Sequence, residues 1–168
     1  MTTKGEAMPH FAIRPAVQSD VPLILRLIRA LAVYEKLEHK VVATEELIES
    51  ALFGERRYAE VVIAEEDGVA AGFALFFHNF STFLGRPGIY LEDLFVDSGK
   101  RGRGYGKALL AHLAKLAQER NCGRVEWAVL DWNEPSIRFY ESLGATAMND
   151  WNIYRLTGEA LAKLAAHG

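Results

Sequence analysis

Residues 100–107 read Lys-Arg-Gly-Arg-Gly-Tyr-Gly-Lys and hold four of the chain's 19 Lys and Arg residues. Gly102, Gly104 and Gly106 leave the backbone N–H groups around them uncovered by side chains. The apolar run Ile89 to Val96 precedes this stretch, and a helix-patterned segment from Lys107 to Arg120 follows it. A strand, a glycine turn and a helix N-terminus make an anion cradle, because free amides and the positive end of the helix dipole converge on the turn. A phosphate or pyrophosphate is the usual guest. A Walker A loop is excluded, because it ends in Gly-Lys-Ser/Thr and here Ala108 follows Lys107, with Arg101 where the first glycine belongs. The dinucleotide fingerprint G-x-G-x-x-G also fails, since the third glycine arrives one residue early. What remains is Arg-x-x-Gly-x-Gly at Arg101, Gly104 and Gly106, for which a solvated basic turn capping a helix is the plain alternative. A second feature is Glu92-Asp93, two adjoining acids inside Tyr90-Leu91-Glu92-Asp93-Leu94-Phe95. An acid in such a strand is costly unless it is paired, wetted or functional, and a charge on a solvent-facing sheet edge is the plain alternative.

These residues need a scaffold, and composition says what kind. At 168 residues and half hydrophobic, the chain has room for one globular domain with a proper core. The longest near-apolar run, Val69 to Phe77, is too short to span a membrane. Residues 1–9 read as a loose leader without the apolar core of a signal peptide, and residues 10–166 as one continuous domain. The single cysteine, Cys122, excludes an internal disulfide framework and suits a cytoplasmic protein. Net charge is −3 and the pI about 6.0. A basic loop on an acidic chain points to a local anion site rather than to nucleic acid. The five histidines show no metal-ligand spacing, so no metal is expected.

The pattern predicts strand Phe11–Arg14, then a helix capped by Ser19 or Asp20 with Pro22 in its first turn. A second helix opens at Thr44 as a capping box and ends at Gly54. Arg57–Glu65 and Val69–Asn79 form a hairpin around Glu66-Asp67-Gly68, Asp-Gly being the turn signal. Strand Gly88–Asp97, helix Lys107–Arg120, strand Arg124–Leu130, helix Pro135–Leu143, strand Asn152–Leu156 and helix Thr157–Ala166 complete an α/β mixture with an antiparallel first half.

That order, with several sequence blocks, resembles the GCN5-related N-acetyltransferase family. The blocks are Ile13-Arg14-Pro15-Ala16, Leu25-Arg26-Leu27-Ile28, Tyr34-Glu35, Tyr90-Leu91-Glu92-Asp93, Arg101-Gly102-x-Gly104-x-Gly106, Val129-Leu130-Asp131-Trp132-Asn133, Glu134-Pro135-Ser136, Phe139-Tyr140 and Leu143-Gly144-Ala145. They are most similar to the branch that acetylates diamines, polyamines or thialysine. The resemblance implies an acyl-CoA N-acyltransferase fold, a central twisted mixed sheet flanked by helices. It implies acetyl-CoA as co-substrate and a homodimer with contacts near the C-terminal strand.

By that resemblance the cofactor lies on Leu94, Phe95 and Val96, on the loop Arg101, Gly102, Arg103, Gly104, Tyr105, Gly106 and Lys107, and on Asn133, Pro135, Ser136 and Tyr140. Tyr140 protonates the departing sulfur, although its ring could instead simply pack with Phe139. Glu92 takes the proton of the incoming ammonium through water, at a β-bulge. Tyr34, Glu35, Glu92, Asp93, Glu126, Trp127 and Asn152 would bind a small cationic amine, while Trp127 also suits plain packing. Ser81-Thr82 and Leu84 replace an Asp and a Trp of the polyamine enzymes, and Asn152 replaces an acid. A shorter, lysine-like amine is therefore at least as good an expectation. An acetyl-CoA-binding regulatory module and a nucleic-acid-binding basic arm are the rival classes.

Overall fold

The computed structural model describes residues 9–167. They group into two compact units, the first ending at Ala128 and the second starting at Val129. The sequence-predicted leader lies outside the described residues except for Pro9.

The first unit is a five-stranded mixed sheet flanked by helices. Strands β1 (Phe11–Pro15), β2 (Glu60–Glu66), β3 (Val69–Ser81), β4 (Arg86–Val96) and β5 (Val125–Trp127) lie side by side in that order. The first four pair antiparallel, and β5 runs parallel to β4. Helices α1 (Val21–Tyr34) and α2 (Glu45–Phe53) connect β1 to β2, and α3 (Tyr105–Glu119) connects β4 to β5. The Asp-Gly hairpin forms as expected, with Asp67 at φ 52 and Gly68 at φ 75, a combination that suits the twist of the flanking strands.

Strand alternation sorts the core into two faces. Ile24, Leu27 and Leu31 of α1 pack on Val61, Ile63, Phe73 and Phe95, all at most 8% exposed. The opposite face of β2 carries Val62, Ala64 and Glu66. Helix α3 buries Leu109, Leu113 and Ala117 and packs on β4, β3 and β2.

Several predicted boundaries shift. Arg57 to Ala59 are not strand, because Tyr58 N–H is drawn to Ala51 O at the end of α2 at 2.9 Å. The Asp20 carboxylate does not cap α1; it turns back to Arg14 at 2.7 and 2.9 Å and to Val17 N–H at 2.8 Å. At α2 only half of the expected box exists. Thr44 accepts from Leu47 N–H at 3.3 Å, and Leu47 has no side-chain acceptor to return the bond. Strand β5 is shorter than predicted at both ends.

The second unit holds α4 (Glu134–Ser142) and α5 (Gly158–Ala165). The expected strand Asn152–Leu156 is absent. Its adjoining Ile153 and Tyr154 are β-prone, but among the described residues the segment pairs with no strand, and these two side chains stand 76% and 91% exposed. A strand cannot satisfy its backbone alone.

Candidate functional site

The acid pair sits on a β-bulge. In the β3–β4 ladder Leu75 faces Asp93 and Phe76 faces Leu91, so Glu92 is the extra residue. The bulge interrupts the alternation of β4 and leaves Glu92 exposed and Asp93 half-buried. It also marks the end of pairing on the other side. Strand β5 pairs with β4 only at Ile89, Tyr90 and Leu91. From the bulge onward, the backbone of Leu94, Phe95 and Val96 is laddered to β3 alone among the described residues. The Phe95 side chain is buried in the core, so any contact it makes with a cofactor is through its backbone.

Directly after β4 a single 3-10 turn, Ser98–Lys100, leads into the glycine loop. Gly102 and Gly104 have φ 75 and 84, values glycine adopts without the Cβ clash of other residues. A Cβ built at either would meet nothing within 4 Å. Helix α3 begins two residues earlier than predicted, with Gly104 as its N-cap and Ala108 N–H bonding Gly104 O at 2.9 Å. Among the described residues, the backbone N–H groups from Gly102 to Lys107 find no acceptor. Free amides, open space beside the two glycines and a helix N-terminus are thus brought together, an arrangement that suits an anion.

The loop's side chains do something different from its backbone. Arg101 donates to Val96 O at 3.0 Å and lies over the Tyr34 ring at 4.4 Å and the Phe95 ring at 5.6 Å. Arg103 pairs with Glu66 at 2.6 Å, and Lys100 pairs with the same carboxylate. Tyr105 is turned inward, its ring stacked on Phe11 at 4.5 Å and its hydroxyl donating to Glu66 at 2.6 Å. Lys107 is exposed, with no ion-pair partner among the described residues. Sequence reading missed Glu66, because an acid beside an Asp-Gly turn looks solvated. The usable signal was alternation, which puts it on the same face as buried Val62 and Ala64.

One acid at the bulge is strongly perturbed. The Asp93 carboxyl is pushed up to about 6, first by burial and then by the charges of Glu92 and Glu35. Burial raises Glu35, at the end of α1, as well. The structure thus brings Glu35 and Glu92 each within electrostatic reach of Asp93, with Tyr34 tied to the loop through Arg101. Glu126 is committed elsewhere: it accepts from Asn79 at 2.9 Å and pairs with Arg124 at 2.8 Å. Trp127 is half-buried opposite Leu91.

In the second unit Asn133 is buried and caps α4, its carbonyl accepting from Ser136 and Ile137 N–H at 3.1 and 3.0 Å. Pro135 lies in the first turn, where a missing N–H loses nothing. Tyr140 follows Ser136 by one turn, half-buried, its ring 5.4 Å from Phe139. Asn152 is exposed.

Residues 26–145 match the family model described as acetyltransferase (GNAT) family. The chain is 37% identical to thialysine N-epsilon-acetyltransferase of Bos taurus, over 94% of this chain and 99% of that one. It is 36% identical to an L-ornithine N5-acetyltransferase of Arabidopsis thaliana, over 89% of this chain and 85% of the relative. Among solved structures, an integron cassette protein from the mobile metagenome of V. cholerae superposes with TM-score 0.78 at 30% identity, covering 92% of this chain and 97% of that one.

Proposed function

The chain belongs to the acetyltransferase (GNAT) family and is an N-acetyltransferase of amines; we propose that it moves the acetyl group of acetyl-CoA to a primary amine of a small cationic substrate of the ornithine or thialysine kind, by direct attack in a ternary complex. The observation that carries this reading is the coupling, along one continuous segment, of a bulged strand open beyond Leu91 with an amide cradle at the start of α3. The cradle suits the pyrophosphate. The backbone of Leu94 to Val96 suits the pantetheine arm and the acetyl carbonyl, whose developing negative charge a fixed N–H would stabilise. When bound, acetyl-CoA supplies the activated thioester.

The protein's part is to gather the amine, free it of a proton and protonate the leaving sulfur. Glu35 and Glu92 around Asp93, with Tyr34 next to Glu35 in the chain, favour a cationic amine. An ammonium with a pKa near 10.4 must be deprotonated before attack, and Glu92, exposed at the bulge, takes that proton through water. By family resemblance Tyr140 supplies the proton to sulfur, with Asn133, Pro135 and Ser136 holding the cofactor. We take Trp127 and Asn152 as further amine contacts and residues 10–166 as the acetyltransferase domain. A homodimer suits the exposed Trp151, Ile153 and Tyr154. No helix among the described residues is long and apolar enough to cross a membrane, and a cytoplasmic site suits free Cys122.

A panel of ornithine, thialysine, lysine, spermidine and a peptide N-terminus, followed by release of CoA thiol, tests the reading. Turnover is expected to favour ornithine or thialysine over spermidine. Acetyl-CoA binding without thiol release from any amine would replace the enzyme with a regulatory module. Gly104→Val tests the cradle separately. A branched side chain at φ 84 is strained by about 1–2 kcal/mol, and its methyls occupy the open space beside the loop amides. The protein should stay folded and lose about tenfold or more in acetyl-CoA affinity by calorimetry; unchanged binding would refute the cradle.

A further inference from the structure

We infer that Glu66 is a positioning residue for the anion loop: its buried carboxylate holds Lys100, Arg103 and Tyr105, so that the backbone amides of residues 102–107, and not the Arg103 side chain, receive the pyrophosphate. The inference rests on the acetyl-CoA reading above. Glu66 ends β2 on the face that packs against α3 and is 5% exposed. Its three partners flank the cradle. Lys100 closes the turn before it, Arg103 lies between its two left-handed glycines, and Tyr105 is the first residue of α3. A buried carboxylate is tolerated only when compensated, and here two cations and a hydroxyl compensate it. One group therefore fixes the loop at its entry, its middle and its exit. Phe11 stacks on the Tyr105 ring and limits how far that exit can swing.

Arg103 lies within the very motif that suggests phosphate binding, yet the oxygen it meets belongs to the protein. Its charge is spent on shape, and a cradle with its loop already ordered loses less entropy when the anion arrives. The partners of Glu66 all belong to the loop and to the start of α3, and none belongs to the bulge. Its removal should therefore act on cofactor binding before it acts on chemistry.

The test is a double-mutant cycle read by calorimetry with acetyl-CoA and by steady-state kinetics. Glu66→Ala is expected to raise the acetyl-CoA Kd and KM about tenfold, with a much smaller change in kcat at saturation. Glu66→Gln, which keeps an oxygen for Tyr105 but no charge, should fall between Glu66→Ala and the parent. Arg103→Ala should weaken binding as well, and the double variant should bind no worse than the weaker single one, because both remove the same loop restraint. If Arg103 contacted phosphate directly, its removal in the Glu66→Ala background would weaken binding again by about tenfold, and the inference would fall. Unchanged Kd in Glu66→Ala would also overturn it. Should Glu66→Ala not fold, Tyr105→Phe, which deletes one hydroxyl, carries the same expectation of a several-fold rise in Kd. Failure of the parent protein to bind acetyl-CoA would instead sink the cofactor reading itself, which keeps the two failures apart.

Discussion

Tyr140→Phe is expected to keep acetyl-CoA affinity and to lose at least about tenfold in kcat at neutral pH, within the 10²–10⁴ that a general acid typically supplies, less what water can replace. The ring survives, so its packing beside Phe139 survives. What goes is the proton that the departing thiolate needs. Glu92→Gln should behave differently. It removes the acceptor for the ammonium proton, so its deficit should shrink as pH rises toward the pKa of the amine and more substrate arrives neutral. The discriminating measurement is kcat/KM for the amine from pH 6 to pH 10 in both variants. Tyr140→Phe should show no alkaline recovery, while Glu92→Gln should climb toward the parent enzyme. Full turnover by Tyr140→Phe, with chemistry shown to be rate-limiting, would remove Tyr140 from the acid role. A Glu92→Gln profile parallel to the parent's would make Glu92 a binding or structural carboxylate.

Legibility in the sequence followed the distance over which each feature is decided. The glycine loop, the Asp67-Gly68 hairpin and the amphipathic stripe of α3 depend on neighbours a few residues away, and all three were legible. The residues alone showed two adjoining acids in an apolar strand, costly unless paired, wetted or functional, and the bulge that explains them was implied only by the family resemblance. Features decided across the fold were not. Glu66 looks like an ordinary turn acid until Lys100, Arg103 and Tyr105 are folded against it. Glu126 reads as a pocket acid, and only pairing with Arg124 and Asn79 shows its charge compensated. Tyr105 reads as a loop residue, and its burial follows from α3 starting early. Asn152–Leu156 has strand composition, but strand formation needs a second strand, which a local pattern cannot supply.

Asp93→Asn is expected to make the folded protein more stable at pH 8 and the enzyme worse. The carboxyl is raised from 3.8 to about 6 by burial and by the charges of Glu92 and Glu35. Among the described residues it meets no cation or hydrogen-bond donor that would compensate it, so the amide forfeits no bond. Below about pH 4 the folded and unfolded chains both hold the proton, and Asp93 costs nothing. Between about pH 4 and pH 6 the unfolded chain releases its proton while the folded chain keeps it, so the destabilisation grows with pH. Above about pH 6 both are ionised and the destabilisation is complete. A shift of this size corresponds to at most about 3 kcal/mol, and about 1–3 kcal/mol once partial solvation is allowed for. Urea melts should therefore show Asp93→Asn more stable than the parent at pH 8, with the gain fading to nothing near pH 4. An equal gain at both pH values, or a loss at pH 8, would show that the carboxyl is not held out of its ordinary range. The same substitution removes a negative charge from the place where a cationic amine is to be gathered, so its KM for the amine should rise. Stability gained and affinity lost at one residue is the signature of a group kept strained for function, and a variant that gained stability with no change in amine KM would take Asp93 out of the substrate site.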